Sequence, residues 1–149
     1  MTTFQRILCP VDFSPPSEVA LTTALSLAKD SGGRVTVLHV VETPDPLIEK
    51  AEFLEWITRR YDEQLSELLR LRACAQLEPK GLRREGRATE EIQRAAAELA
   101  ADLIVIGTHG RSGIRRWLLG SVAERVVRTA RIPVLTVPML SDDSGSDDG

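Results

Sequence analysis

Between positions 107 and 121 the chain reads Gly-Thr-His-Gly-Arg-Ser-Gly-Ile-Arg-Arg-Trp-Leu-Leu-Gly-Ser. Four of its ten glycines, Gly107, Gly110, Gly113 and Gly120, fall in this stretch. From Leu103 to Ala123 there is no acidic residue, while Arg111, Arg115 and Arg116 add three positive charges. Glycine lets a backbone turn sharply and bring its N–H groups close to a ligand. A helix predicted to begin near Ser121 would aim its unpaired N–H groups and positive dipole end back at the loop. The chemistry this suits is the holding of an anion, phosphate above all.

The familiar nucleotide signatures are absent. A Walker loop needs GxxxxGK[ST], and no lysine stands between Gly120 and Ser121; the glycines run GxxGxxG and not GxGxxG. Ser31-Gly32-Gly33 lies at a predicted helix end, where glycine serves as a C-cap. Ser121-x-x-Glu124 reads as a capping box, which also presents N–H groups. His109 has no carboxylate near it in sequence and is a candidate for phosphate contact, whereas His39, inside an apolar strand, reads as a packed core residue. Arg115 and Arg116 read as a solvated loop face, and Trp117-Leu118-Leu119 as a packing anchor. Cys9 and Cys74 form no CxxC or Cys/His cluster, which argues against a structural zinc.

The elements that must position the loop follow from hydrophobic patterning. Ile7–Val11, Val35–Val41 and Leu103–Ile106 are short, almost wholly apolar runs, the pattern of strands buried on both faces. Gly81–Glu85 is polar and is placed at a sheet edge. Pro133–Pro138 supplies a fifth strand, its prolines at the ends. Between them, apolar residues at helical spacing predict a helix from Ser14 to the Gly32-Gly33 stop, a long one over Leu47–Leu77, one over Thr89–Ala100, and one beginning near Ser121. Ser14 offers an N-cap, with Pro15 and Pro16 in the first turn. Strict β-α alternation predicts an α/β domain: a parallel sheet with helices on both faces and right-handed crossovers. Ligands of such sheets bind beyond the carboxyl ends of the strands. The segments of interest are therefore Pro10–Ser14, Val40–Thr43 and Gly107–Ser121.

Composition is that of an ordinary globular chain, 42% hydrophobic and 28% charged over 149 residues. The length suits one domain. The formal net charge is −3, and setting aside the four aspartates of Ser141–Gly149 leaves +1. The body over 1–140 is nearly neutral, without the broad basic face of a nucleic-acid binder. The acidic segment 141–149 is too polar to bury surface and is expected to be disordered. No apolar run is long enough for a membrane span, and the N-terminus lacks a signal-peptide pattern, so a cytoplasmic location is expected. The fifth strand, at a predicted sheet edge, carries no charge along Val134–Val137. An open apolar edge invites pairing, and a homodimer through it is expected.

The spacing Gly107-x2-Gly110-x9-Gly120-Ser121 resembles that of the universal stress protein family, in its ATP-binding subgroup. The resemblance extends to Ile7-Leu8-Cys9-Pro10-Val11-Asp12-Phe13-Ser14 and to Pro133–Pro138, and covers about residues 4 to 138. It implies a five-stranded parallel sheet of order 3-2-1-4-5, usually as a homodimer. Carried over residue by residue, the main chain of Gly107, Gly110, Gly120, Ser121 and Val122 would hold the phosphates. Asp12 would lie near the ribose or a magnesium ion brought by ATP, and the main chain around Val40 would read the adenine edge. Pro10, Val11, His109, Arg111 and Gly113 complete the expected ATP site. Two residues depart from the pattern. Phe13 stands where many members have Gly, and would wall the ribose pocket. Arg87 follows Gly86 where an acid or Asn is common.

Three functions follow. The first is a cytoplasmic ATP-binding stress-response or signalling protein that acts through conformation or partner contacts. The second is a slow ATPase or self-phosphorylating enzyme. Phosphoryl transfer needs a positioned nucleophile and metal charge; Asp12 could hold metal and Ser112 or Ser121 could accept phosphate, but there is no P-loop lysine and no evident base, which favours binding. The third is a dimeric interaction module without nucleotide.

Overall fold

The computed structural model describes residues 3–42, 51–73, 77–108 and 120–139. Their order is β1 (Arg6–Pro10), α1 (Pro15–Ser31), β2 (Arg34–Val41), α2 (Ala51–Arg72), β3 (Lys80–Glu85), α3 (Ala88–Glu98), β4 (Leu103–Gly107), α4 (Ser121–Thr129) and β5 (Val134–Val137). The five strands form one parallel sheet of order β3-β2-β1-β4-β5. The expected α/β class and strand order are both present.

The apolar runs are strands because each has two faces to bury. Along β1, Ile7 and Cys9 join a core with Ala20, Leu21, Ala24 and Ala28 of α1 and Leu65 and Leu68 of α2. Leu8 joins a second core with Ile92, Ala95 and Ala96 of α3 and Ala123 and Val126 of α4. β4 repeats this, with Leu103 and Val105 on the first side and Ile104 and Ile106 on the second. Side chains alternate across a strand, so continuous apolarity satisfies both helix layers. The first half of the chain builds outward from β1 to β3, with α1 and α2 on one face. The second half returns to β4 and β5 with α3 and α4 on the other. The direction reverses between β1 and β4, and their carboxyl ends part there.

The helix ends show which local signals operate. Ser14 caps α1, its hydroxyl accepting from the Ser17 N–H at 3.4 Å. Gly32 closes α1 at φ 70°, and its N–H bonds the Ala28 carbonyl. The long helix expected over 47–77 is Ala51–Arg72 where described; 43–50 and 74–76 lie outside the described residues, and Leu77 is not helical. α3 begins at Ala88 behind Arg87, which makes no side-chain cap. Its Ala88 N–H donates instead to Glu42 Oε1 at 3.1 Å. The departure at Arg87 is thereby offset: a carboxylate 46 positions earlier caps the helix and complements its positive end. β3 is an edge strand, as expected, and its Arg83 pairs with Asp62 of α2 at 2.7 Å. The acidic segment 141–149 lies outside the described residues.

Candidate functional site

A cavity of about 260 Å³ opens at the switch point. Pro10, Val11 and Asp12 reach it from the β1–α1 turn, Leu38 and Val40 from β2, Gly107 from β4, and Ser121 and Val122 from α4. A second cavity of about 350 Å³ lies toward α2, where Leu54, Ile57 and Tyr61 wall it. The two share Asp12, Val40, Ala88 and Val122. The structure therefore brings together seven of the expected residues: Pro10, Val11, Asp12, Val40, Gly107, Ser121 and Val122. His109, Gly110, Arg111 and Gly113 lie outside the described residues.

The β1–α1 turn is held by a ring of short polar contacts. Asp12 Oδ1 accepts from the Ser14 N–H at 3.0 Å and from the Ser14 hydroxyl. The Asp12 N–H donates to Ser17 Oγ at 3.3 Å, and that hydroxyl donates to the Ser14 carbonyl at 2.9 Å. Burial acts to raise the Asp12 pKa, but the Ser14 and Ser17 hydrogen bonds and the turn's N–H groups outweigh it and hold the carboxyl below its ordinary value. Asp12 is thus a fixed anion at the cavity mouth, suited to a hydroxyl donor or a cation.

Phe13 does not wall the cavity as expected. Its backbone is left-handed, φ 64°, a conformation glycine adopts without cost. That explains why Gly suits this position, and it turns the Phe13 ring into the α1–α2 layer. The ring lies 4.6 Å from His39 and 6.1 Å from Tyr61, centroid to centroid. His39 is buried, as expected of a core residue, and its Nδ1–H donates to the Val11 carbonyl at 2.9 Å. That bond ties the β1–α1 turn to β2 and leaves Nε2 as the bare nitrogen, with no partner among the described residues. Burial lowers the His39 pKa and keeps the ring neutral.

The glycines divide by role. A Cβ on Gly107 would lie 2.7 Å from the Pro16 carbonyl oxygen and 3.1 Å from the Ser17 nitrogen. Gly107 is therefore required for β4 to pass against the start of α1, whatever the cavity holds. Gly120 sits at φ −62°, a region open to any residue. Its N–H bonds the Thr108 carbonyl, which joins the two ends of the 109–119 segment. The capping-box reading of Ser121 is overturned: Gly120 is the N-cap, with no side chain of its own to cap α4, and Ser121 is the first helical residue. With the Gly120 N–H engaged and the Glu124 N–H bonded to the Gly120 carbonyl, the N–H groups of Ser121, Val122 and Ala123 at this end have no partner among the described residues.

Ser14, Ser17, Ala88, Ile92 and Ala123 also line the first cavity and were not singled out from the sequence. Ala88 and Ile92 enter from α3, on the same side of the sheet as α4 and opposite α1, a placement that the crossover direction decides.

The chain matches the model of the universal stress protein family over residues 3–138. It belongs to the universal stress protein family. It is similar to a universal stress protein of Methanocaldococcus jannaschii, 35% identical over 141 residues, covering 90% of this chain and 82% of the relative. Among solved structures, a family member from Burkholderia pseudomallei superposes at TM-score 0.72 with 31% identity, covering 93% and 99% of the two chains. The universal stress protein of Archaeoglobus fulgidus in complex with dAMP superposes at TM-score 0.56 with 26% identity, covering 91% and 98%.

Proposed function

We propose that this universal stress protein binds ATP at the switch point and acts through the conformation or partner contacts of the bound state. The observation that carries the reading is one geometry: the first residues of α4, Ser121–Ala123, whose main-chain donors have no partner among the described residues, and the fixed carboxylate of Asp12 line the same cavity. The donors suit phosphate. Asp12 suits the ribose or a magnesium ion carried by the nucleotide. The Val40 main chain, beside the second cavity, suits the adenine edge. The dAMP complex of the Archaeoglobus relative supports a nucleotide here. Phosphate contacts from the Gly107–Gly113 loop, with His109 and Arg111, belong to the same proposal.

Isothermal titration with ATP tests it. Gly120→Val leaves φ −62° allowed, so the fold should hold by circular dichroism. A side chain beside the Ser121–Ala123 donors should weaken ATP by more than tenfold, about 1.4 kcal/mol. An unaltered affinity would remove the cradle. Turnover measured at enzyme excess distinguishes binding from hydrolysis.

The same reading includes a cytoplasmic homodimer through β5. The carbonyls of Pro133 and Val137 accept from Ile104 and Thr108 of the neighbouring strand side. By the two-residue period of a strand, Val134 and Thr136 turn their N–H groups to the open edge. Leu135 there is 38% exposed. Thr136→Pro removes an edge donor and spares the ladder to β4. Light scattering should fall from about twice 16.4 kDa to the single-chain mass. A dimer unmoved by this substitution would rule out the β5 edge.

A further inference from the structure

α2 carries a stripe that the nucleotide site does not use. Trp56 is 58% exposed and Leu71 65% exposed, and Arg60, Gln64 and Glu67 are exposed between them. At 3.6 residues per turn these five residues fall within an arc of about 80°. On the same wheel Leu68 lies about 40° and Leu65 about 100° beyond Gln64, both buried in the core. Arg60 stands over the Trp56 ring, 5.8 Å from its centroid. Glu67 pairs with Arg70 on its own helix at 2.6 Å. The indole and the leucine lie about 22 Å apart along one helix, with charged and polar side chains between them, so what marks the stripe is the order of its residues.

The order of residues identifies the partner. Read from the other end, the stripe complements itself. Set α2 antiparallel to a second α2 about a two-fold axis between Glu63 and Gln64. Trp56 then faces Leu71 of the other copy, and Arg60 faces Glu67. The symmetry repeats each pair, giving two apolar contacts outside and two opposite-charge contacts within. A parallel pairing in register would set Arg60 on Arg60 and Glu67 on Glu67, which is repulsive. Self-complementarity under a two-fold operation is what an isologous contact requires.

We propose that α2 is an interaction surface for a second copy of this chain, in antiparallel register with Trp56 against Leu71 and Arg60 against Glu67. α2 packs on β3, at the opposite edge of the sheet from β5. The contact is thus separate from the β5 pairing, and the two together build assemblies larger than a dimer. One helix face is smaller than the roughly 800 Å² per partner of a stable interface, so the association is weak and rises with concentration.

Sedimentation of the full chain from 10 μM to 1 mM tests this. The weight-average mass should climb with concentration, and do so in the Thr136→Pro background as well. Arg60→Glu and Glu67→Arg should each weaken the α2 association at least tenfold. An equimolar mixture of the two variants should restore it, because each mixed pair sets opposite charges at both positions. Misfolding cannot produce that rescue. A mass independent of concentration overturns the proposal, as does association untouched by either reversal or a mixture that fails to recover. Loss of the dimer by Thr136→Pro alone, with the α2 effects intact, would be a result about β5 only.

Discussion

Replacing Gly107 by alanine separates the demands of the fold from the demands of a ligand. The added Cβ would meet the Pro16 carbonyl oxygen at 2.7 Å, its carbon at 2.8 Å and the Ser17 nitrogen at 3.1 Å. All three are main-chain atoms, so no rotamer change relieves the contact. β4 and the start of α1 must move apart. Forced overpacking of this kind costs about 1–3 kcal/mol. In a domain this size, 1 kcal/mol lowers the melting temperature by about 2–4 °C, so a 2 kcal/mol cost means a fall of about 4–8 °C. The turn that holds Asp12 begins at the same place, so ATP affinity should fall too, but the stability loss should appear without nucleotide. Urea unfolding followed by circular dichroism measures it, with the slope expected to stay near the parent's. Gly32→Ala is the contrast: nothing lies within 4 Å of its Cβ and only the φ of 70° is strained, for a cost of about 1–2 kcal/mol. A Gly107→Ala protein as stable as the parent, defective only in ATP binding, would refute the packing argument and return this glycine to the ligand.

Two further outcomes are expected. His39 is neutral when folded because burial lowers its pKa, whereas in the unfolded chain it takes up a proton near pH 6.5. Its contribution to stability is complete above that pH and is lost as pH falls through the folded value, at a slope of at most about 1.4 kcal/mol per pH unit. His39→Asn should flatten this slope in urea titrations between pH 7 and 5, and an unchanged slope would place the titrating group elsewhere. Ending the chain after Leu140 should leave the melting temperature and ATP affinity unchanged, since four aspartates without an apolar residue bury nothing; a clear fall would show that the tail docks.

The alternation of apolar runs with helical patterns determined the architecture by itself. Ile7–Cys9 and Leu103–Ile106 have no polar face to give to water, so each had to lie between two helix layers. Glycines and arginines without acids point to an anion at Gly107–Ser121, a reading that stands as part of the proposal, since 109–119 lie outside the described residues. The tertiary structure decided what each glycine is for. Gly107 answers to the Pro16 main chain, which lies 91 positions away in sequence, and Gly120 needs no glycine backbone at all. It also moved the α4 cap from Ser121 to Gly120, since a capping box and a first helical turn share one sequence pattern and differ only in φ and ψ. Phe13 faces away from the cavity because its backbone is left-handed, a choice its side chain does not advertise. Arg87 lacks a cap of its own, and Glu42 supplies one from the end of β2. Such compensations depend on which strand ends lie side by side, and that is settled only when the chain reverses direction between β1 and β4.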